Sequence, residues 1–148
     1  MEDKLQKLKE LLNEIDDLHK AAAVLNWDQE TYMPPGGIEA RANQLATLQK
    51  IAHSRFVSDE VGKLLEDLRP LTAEMDSDSD TASLIRVTSR EYEKARKIPD
   101  ELVAELAQKT ALAHNIWAQA RQEKDFLKFQ PILEELVTLT RRKAEYLG

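Results

Sequence analysis

The sequence predicts an all-α fold: an elongated antiparallel bundle of five or six helices, in a single helical domain over residues 1–148. Three observations carry that expectation. Apolar residues recur at steps of three and four along nearly the whole chain, the spacing that lines one face of a helix. No segment alternates apolar and polar residues as a half-buried strand would. The 148 residues include only four Gly and five Pro, whereas a sandwich or barrel would need turn formers about every ten positions. With 42% hydrophobic and 32% charged residues, the chain is too apolar for disorder and too evenly charged for a membrane protein.

The first stripe runs through Leu5, Leu8, Leu12, Ile15, Leu18, Ala22 and Leu25. It predicts a helix from about Asp3 to Trp27 whose apolar face needs a partner, since helices in proteins draw most of their stability from packing such a face. Met33-Pro34-Pro35-Gly36-Gly37 is the one strong break, because proline forces the preceding residue into an extended conformation. A second stripe follows at Ile38, Ala42, Leu45, Leu48 and Ala52 and fades near His53 to Arg55. Ser58 is a natural N-cap for a shorter helix with Val61, Leu64, Leu65 and Leu68, ending at Pro70. The acidic, serine-rich run Asp76 to Asp80 suits the start of a fourth helix, with Leu84, Val87, Glu91, Ala95 and Ile98 as its inner face. Pro99 is expected as the first residue of a fifth helix carrying Leu102, Leu106, Thr110, Ala113 and Trp117 to about Glu123. The last helix opens at Asp125 or at Phe129 to Pro131, with Leu133, Leu136, Thr140, Ala144 and Leu147 inward and Gly148 as a left-handed cap.

Charge and composition exclude several function classes. A net charge of −6 gives no electrostatic reason to bind a phosphate backbone, so no nucleic acid is expected as partner. The absence of cysteine removes disulfides, thiolate metal sites and cysteine nucleophiles. No run of roughly 18 apolar residues occurs, so no membrane span is expected. Met1-Glu2-Asp3-Lys4 leads straight into an amphipathic pattern without an apolar signal core, which makes a cytoplasmic location the expectation.

Reactive constellations are also missing. His19, His53 and His114 stand apart, whereas a zinc peptidase helix places two histidines four residues apart with a glutamate between them. Asp16-Asp17-Leu18-His19 is a single carboxylate-x-x-His pair where a di-iron bundle needs two. Asp76, Asp78 and Asp80 have the alternate spacing of a calcium loop, but Thr81 and Val87 occupy the positions that need glycine and a bidentate glutamate. The four glycines build no phosphate loop or nucleophile elbow. Neither a catalytic residue nor a metal ligand is assigned to this chain.

What stands out is Leu25-Asn26-Trp27-Asp28-Gln29-Glu30-Thr31-Tyr32-Met33-Pro34-Pro35-Gly36-Gly37, followed by Arg41. Read physically, Trp27 and Tyr32 fold back on a helix junction while Asp28 bonds loop amides or pairs with Arg41. The positions Leu25, Trp27, Asp28, Thr31, Met33, Pro34, Gly37 and Arg41 resemble a stretch near the N-terminus of the thermostable carboxypeptidase family, helical metallocarboxypeptidases with a His-Glu-x-x-His zinc site. Arg90-Glu91-Tyr92, Lys97-Ile98-Pro99, Trp117 with Ala120-Arg121, Asp125-Phe126, Phe129 with Pro131, Arg142-Lys143-Ala144 and Leu147-Gly148 are similar to that family in order and rough spacing.

The resemblance implies homodimeric exopeptidases whose N-terminal helices wall or cover a deep cleft. Their zinc ligands, catalytic glutamate and carboxylate-recognition residues lie beyond the stretch this chain resembles. The expectation is therefore the N-terminal wall or lid region of a zinc-dependent carboxypeptidase, inactive by itself. Its partners would be the missing catalytic region and, for the parent protein, a peptide substrate. The alternative is a stand-alone helical module that binds another protein through an apolar stripe. Leu11 and Ala21 on the first helix, and Ile132, Val137 and Leu139 on the last, widen the apolar arcs and suggest homo-oligomerisation through those faces.

Overall fold

The computed structural model describes residues 1–148 as six α-helices and no strand. They are α1 (Glu2–Thr31), α2 (Ile38–Phe56), α3 (Asp59–Leu68), α4 (Asp80–Ala95), α5 (Asp100–Glu123) and α6 (Gln130–Leu147), with short 3₁₀ turns at Pro35–Gly37, Arg69–Thr72 and Phe126–Lys128. Helix α2 is the centre of the molecule: α1 packs along one side of it, α5 along the other, and α6 lies against α5. Helices α3 and α4 close the end of the bundle where α1 begins.

The helix ends follow from local chemistry. Ser58 and Ser79 accept hydrogen bonds through Oγ from the amides of Val61 and Ala82, capping α3 and α4. Pro99 is extended and stands just before α5, so the first helical residue is Asp100 rather than the expected proline. Helix α5 ends with Lys124 in the left-handed region at φ 55°, a cap more often made by glycine. Asp125 caps the 3₁₀ turn through Leu127 N, and α6 begins at Gln130 with Pro131 in its first turn. Gly148 has φ 92°, as a left-handed cap requires. Helix α1 continues to Thr31, four residues past the expected end, because nothing before Pro34 interrupts its hydrogen bonds.

The core has two parts. Leu8, Val61, Leu65, Leu68, Ile85 and Tyr92 are buried together where α1, α3 and α4 meet. Ala22, Ala42, Leu45 and Ala111 form the other, where α1 and α5 approach α2 through small residues. Gly62 is necessary in the first part, since a Cβ there would collide with the Tyr92 hydroxyl.

Three inner faces differ from expectation. On α4 the buried residues are Ala82, Ile85, Thr88, Ser89 and Tyr92, while Val87 is exposed. The contact with α3 chose a face turned by one position from the apolar count. On α5, Ala111, Ala113 and Ala120 are buried with Leu102, whereas Thr110 and Trp117 reach solvent, because close helix approach favours small side chains. On α6, Ile132 and Leu139 are the buried pair, and Thr140, Ala144 and Leu147 are exposed. Ile132 and Leu139 are therefore packed against neighbours and are not spare apolar surface, while Val137 is exposed.

Candidate functional site

The eight positions singled out around the α1–α2 break come together in one junction. The carbonyl of Asp28 accepts hydrogen bonds from the amides of both Tyr32 (3.0 Å) and Met33 (2.9 Å), closing the end of α1. Thr31 donates through Oγ1 to the Trp27 carbonyl at 2.8 Å. Pro34 is extended, and its carbonyl accepts from Gly37 N at 2.9 Å, turning the chain into α2. The Met33 side chain lies against Gly37, where a Cβ would sit 3.0 Å from Cγ. Leu25 packs on the second core cluster.

Arg41 ties this junction together. From the first turns of α2 it donates to the Leu25 carbonyl through one guanidinium nitrogen (2.5 Å), to Asp28 Oδ2 through the other (2.7 Å), and to Gln44 Oε1 through Nε (3.1 Å). Its side chain is only 13% exposed. A planar fork of donors suits this divided task in a way an ammonium group does not. The two aromatics behave otherwise: Trp27 is 58% exposed and Tyr32 76%, their rings 5.5 Å apart in a tilted pair. The indole does not fold back into the core.

Beside this junction a groove of about 470 Å³ runs over α2 between α1 and α5. Leu45, Gln49 and His53 belong to its floor, Asn26, Gln29 and Glu30 of α1 form one wall, and α5 from Val103 to His114 forms the other. Gln29 donates through Nε2 to the Ala111 carbonyl at 3.0 Å, linking the walls, and its buried Oε1 has no donor. Lys143 reaches the groove from α6. These residues were not singled out from the sequence. Their signal was present as Asn26, Gln29 and Glu30, polar residues one helical turn apart on α1.

The histidines do not converge. His53 holds the end of the groove, with Nδ1 2.5 Å from Asp100 Oδ1 and Nε2 3.0 Å from the Ala95 carbonyl oxygen. Both ring nitrogens are thus engaged within the protein. His114 lies 3.9 Å from Glu30 and beside Trp117, and His19 is exposed on α1. Asp76 accepts from Asp78 N in a turn ahead of α4. No three His, Asp or Glu side chains stand close enough together to hold a metal ion. No helix is long and apolar enough to cross a membrane.

Comparison with known proteins fixes the family. A profile of the carboxypeptidase Taq (M32) metallopeptidases matches residues 7–148. The chain belongs to that family. Among M32 relatives, thermostable carboxypeptidase 1 of Thermus thermophilus is 37% identical over 96% of this chain and 28% of its own length. Thermostable carboxypeptidase 1 of Pyrococcus furiosus is 34% identical over 86% of this chain and 25% of its own length. The BsuCP crystal structure superposes with a TM-score of 0.92 over 99% of this chain and 29% of that one, at 27% identity. The chain thus spans little more than a quarter of the length of the M32 carboxypeptidases it matches.

Proposed function

We propose that residues 1–148 are the N-terminal helical region of a zinc-dependent metallocarboxypeptidase, serving as wall or lid of its cleft. The whole protein would remove C-terminal residues from peptides. The family match over residues 7–148, covering about 28% of a relative's length, carries this reading. The residues present do not fit a zinc ion, since no cluster of candidate ligands exists here. Metal binding and water activation therefore fall to the rest of the protein. The chain's share in catalysis is to shape and cover the cleft, and by itself it is inactive. Trp27, Asp28, Thr31, Met33, Pro34, Gly37, Leu25 and Arg41 have a structural role in this reading: they set the angle between α1 and α2. We place the protein in the cytoplasm and expect it to self-associate.

The test is to read the gene beyond Gly148 and to express both the longer frame and residues 1–148. The longer protein should carry His-Glu-x-x-His, contain stoichiometric zinc and release C-terminal residues from peptides, and residues 1–148 should do none of these. A stop codon directly after Gly148, with a well-behaved monomer, would replace this reading with a stand-alone helical module.

A further inference from the structure

Three helix ends meet at His53, which lies in the last turn of α2. Its Nδ1 stands 2.5 Å from Oδ1 of Asp100, in the first turn of α5, and its Nε2 stands 3.0 Å from the carbonyl oxygen of Ala95, the last residue of α4. Residues Arg96 to Pro99 are the whole connection between α4 and α5. One imidazole therefore joins α2 to both sides of that hinge, and α4 otherwise meets α2 only briefly.

Both partners are acceptors. An ionised carboxylate and a carbonyl oxygen have no proton to give, so both contacts are hydrogen bonds only when both ring nitrogens carry N–H, which is the imidazolium. The surroundings suit a cation, because helix C-terminal ends carry partial negative charge and those of α2 and α4 meet here. The His53 side chain is only 11% exposed, so water is poorly placed to replace a lost partner. The neutral ring has one N–H for two acceptors. Nδ1 keeps it, since a hydrogen bond to a carboxylate is about twice as strong as one to a neutral group. The Nε2 lone pair then faces the Ala95 oxygen, and two acceptors at that distance repel. Ala95 separates at little cost, because its carbonyl also accepts from Ile98 N at 3.0 Å.

The other charged groups nearby are engaged elsewhere or stand apart. Lys50 of α2 faces Glu101 of α5 at 3.9 Å, and Arg55 pairs with Glu14 of α1. On α4, Glu91 is met by Arg90 and Lys94. In the connection, Arg96 pairs with Glu93 and Lys97 donates to the Leu147 carbonyl. Lys143 of α6 lines the same groove. Glu30 faces His114, which is about 21 Å along α5 from Asp100. Asp100 is the one carboxylate in contact with His53.

We propose that His53 is a proton-operated latch on the α4–α5 hinge. With both nitrogens protonated it clamps the end of α2 to Ala95 and to Asp100. On losing the Nε2 proton to water it keeps Asp100 and releases Ala95, which frees the end of α4 where His53, Ala95 and Ile98 line the groove. Every group of the latch lies within residues 1–148, so it neither rests on the proposed function nor needs the groove to be open.

The test is NMR of the 148-residue chain, with histidine-ring ¹⁵N and backbone amide signals followed from about pH 5 to about pH 9, a span around the histidine range. Both His53 nitrogens should carry protons at the acid end, and Nδ1 alone at the alkaline end. The Ile98 amide, which shares the Ala95 carbonyl, should shift with the same midpoint as the His53 ring. In His53→Asn the side-chain amide takes the place of Nδ1 and is too short to reach Ala95, so the Ile98 signal should stay at its wild-type alkaline position at every pH. If that variant does not fold, the wild-type curves decide alone. A His53 ring in one protonation state throughout, or one that keeps its last proton on Nε2, would overturn the proposal. So would an Ile98 amide that does not move, that follows His114 instead, or that still titrates in His53→Asn.

Discussion

Arg41 donates more of the junction's side-chain hydrogen bonds than any other residue there. Arg41→Ala would remove the second hydrogen bond to the Leu25 carbonyl, which lies within α1, and leave Asp28 without its cation. Because Asp28 is partly exposed, water compensates some of this, and the expected destabilisation is about 1 to 3 kcal/mol in urea unfolding. Arg41→Lys should recover less than half of that loss, since one ammonium cannot reach both acceptors in the fork geometry. Trp27→Ala should cost only about 1 kcal/mol, the size of a surface aromatic pair, where a fully buried indole would cost about 3 to 5 kcal/mol. A larger loss for Trp27→Ala than for Arg41→Ala would show that the junction is held by the aromatics. At Gly62, alanine gains up to about 1 kcal/mol of helix propensity but meets a buried Tyr92 that packs edge-on against Phe56. Overpacking of this kind costs about 1 to 3 kcal/mol, so Gly62→Ala should lower the melting temperature, and adding Tyr92→Phe should restore part of it.

Among the elements, the helices and their breaks were legible in the sequence because caps and prolines act locally. Ser58, Ser79 and the Pro34-Pro35 pair determine their own neighbourhoods, and each helix end they govern lies where the pattern placed it, within a few residues. The inner faces were less legible. An apolar count cannot see that Gly62 admits Tyr92, or that Ala111 and Ala120 let α5 approach its neighbours closely, and so it selected Val87 and Trp117, which are exposed. In the junction, Asp28 and Arg41 could be paired from charge and spacing, whereas the groove is assembled from α1, α2, α5 and α6 and has no signature in any one of them. Lys4 of α1 bonds Asp67 of α3 at 2.8 Å and holds that carboxyl below its ordinary value, chiefly through the hydrogen bond and also through its charge. The lowered value means that the pair supports folding above the ordinary value of 3.8 and is lost as pH falls through the lowered one. In Lys4→Ala the Asp67 carboxyl should titrate higher, which side-chain carbon NMR reads directly; an unchanged Asp67 would mean that the bond is absent in solution.

For the whole molecule, surface area is the informative quantity. The chain exposes 9698 Å², whereas a compact monomer of 16.9 kDa exposes about 7,700 Å². Only 20 of 148 residues are buried, so much of each helix has a neighbour on one side alone. The excess includes large apolar side chains in two places: Val24, Trp27 and Tyr32 near the end of α1, and Trp117, Phe126, Leu127 and Val137 where α5 turns into α6. Apolar patches beyond a few hundred Å² are seldom left uncovered in a soluble monomer. A longer M32 chain could cover them with its remaining residues, while residues 1–148 alone have only copies of themselves, which pair most simply about a two-fold axis. Gel filtration with light scattering at micromolar concentration should therefore give a mass of at least twice 16.9 kDa. Phe126→Glu or Trp27→Glu should shift it toward the monomer, according to which patch is used. The longer protein should bind less of an apolar dye per helix than residues 1–148. A wild-type monomer that binds no dye would show that these side chains are individually solvated and that the thin bundle is sufficient as it stands.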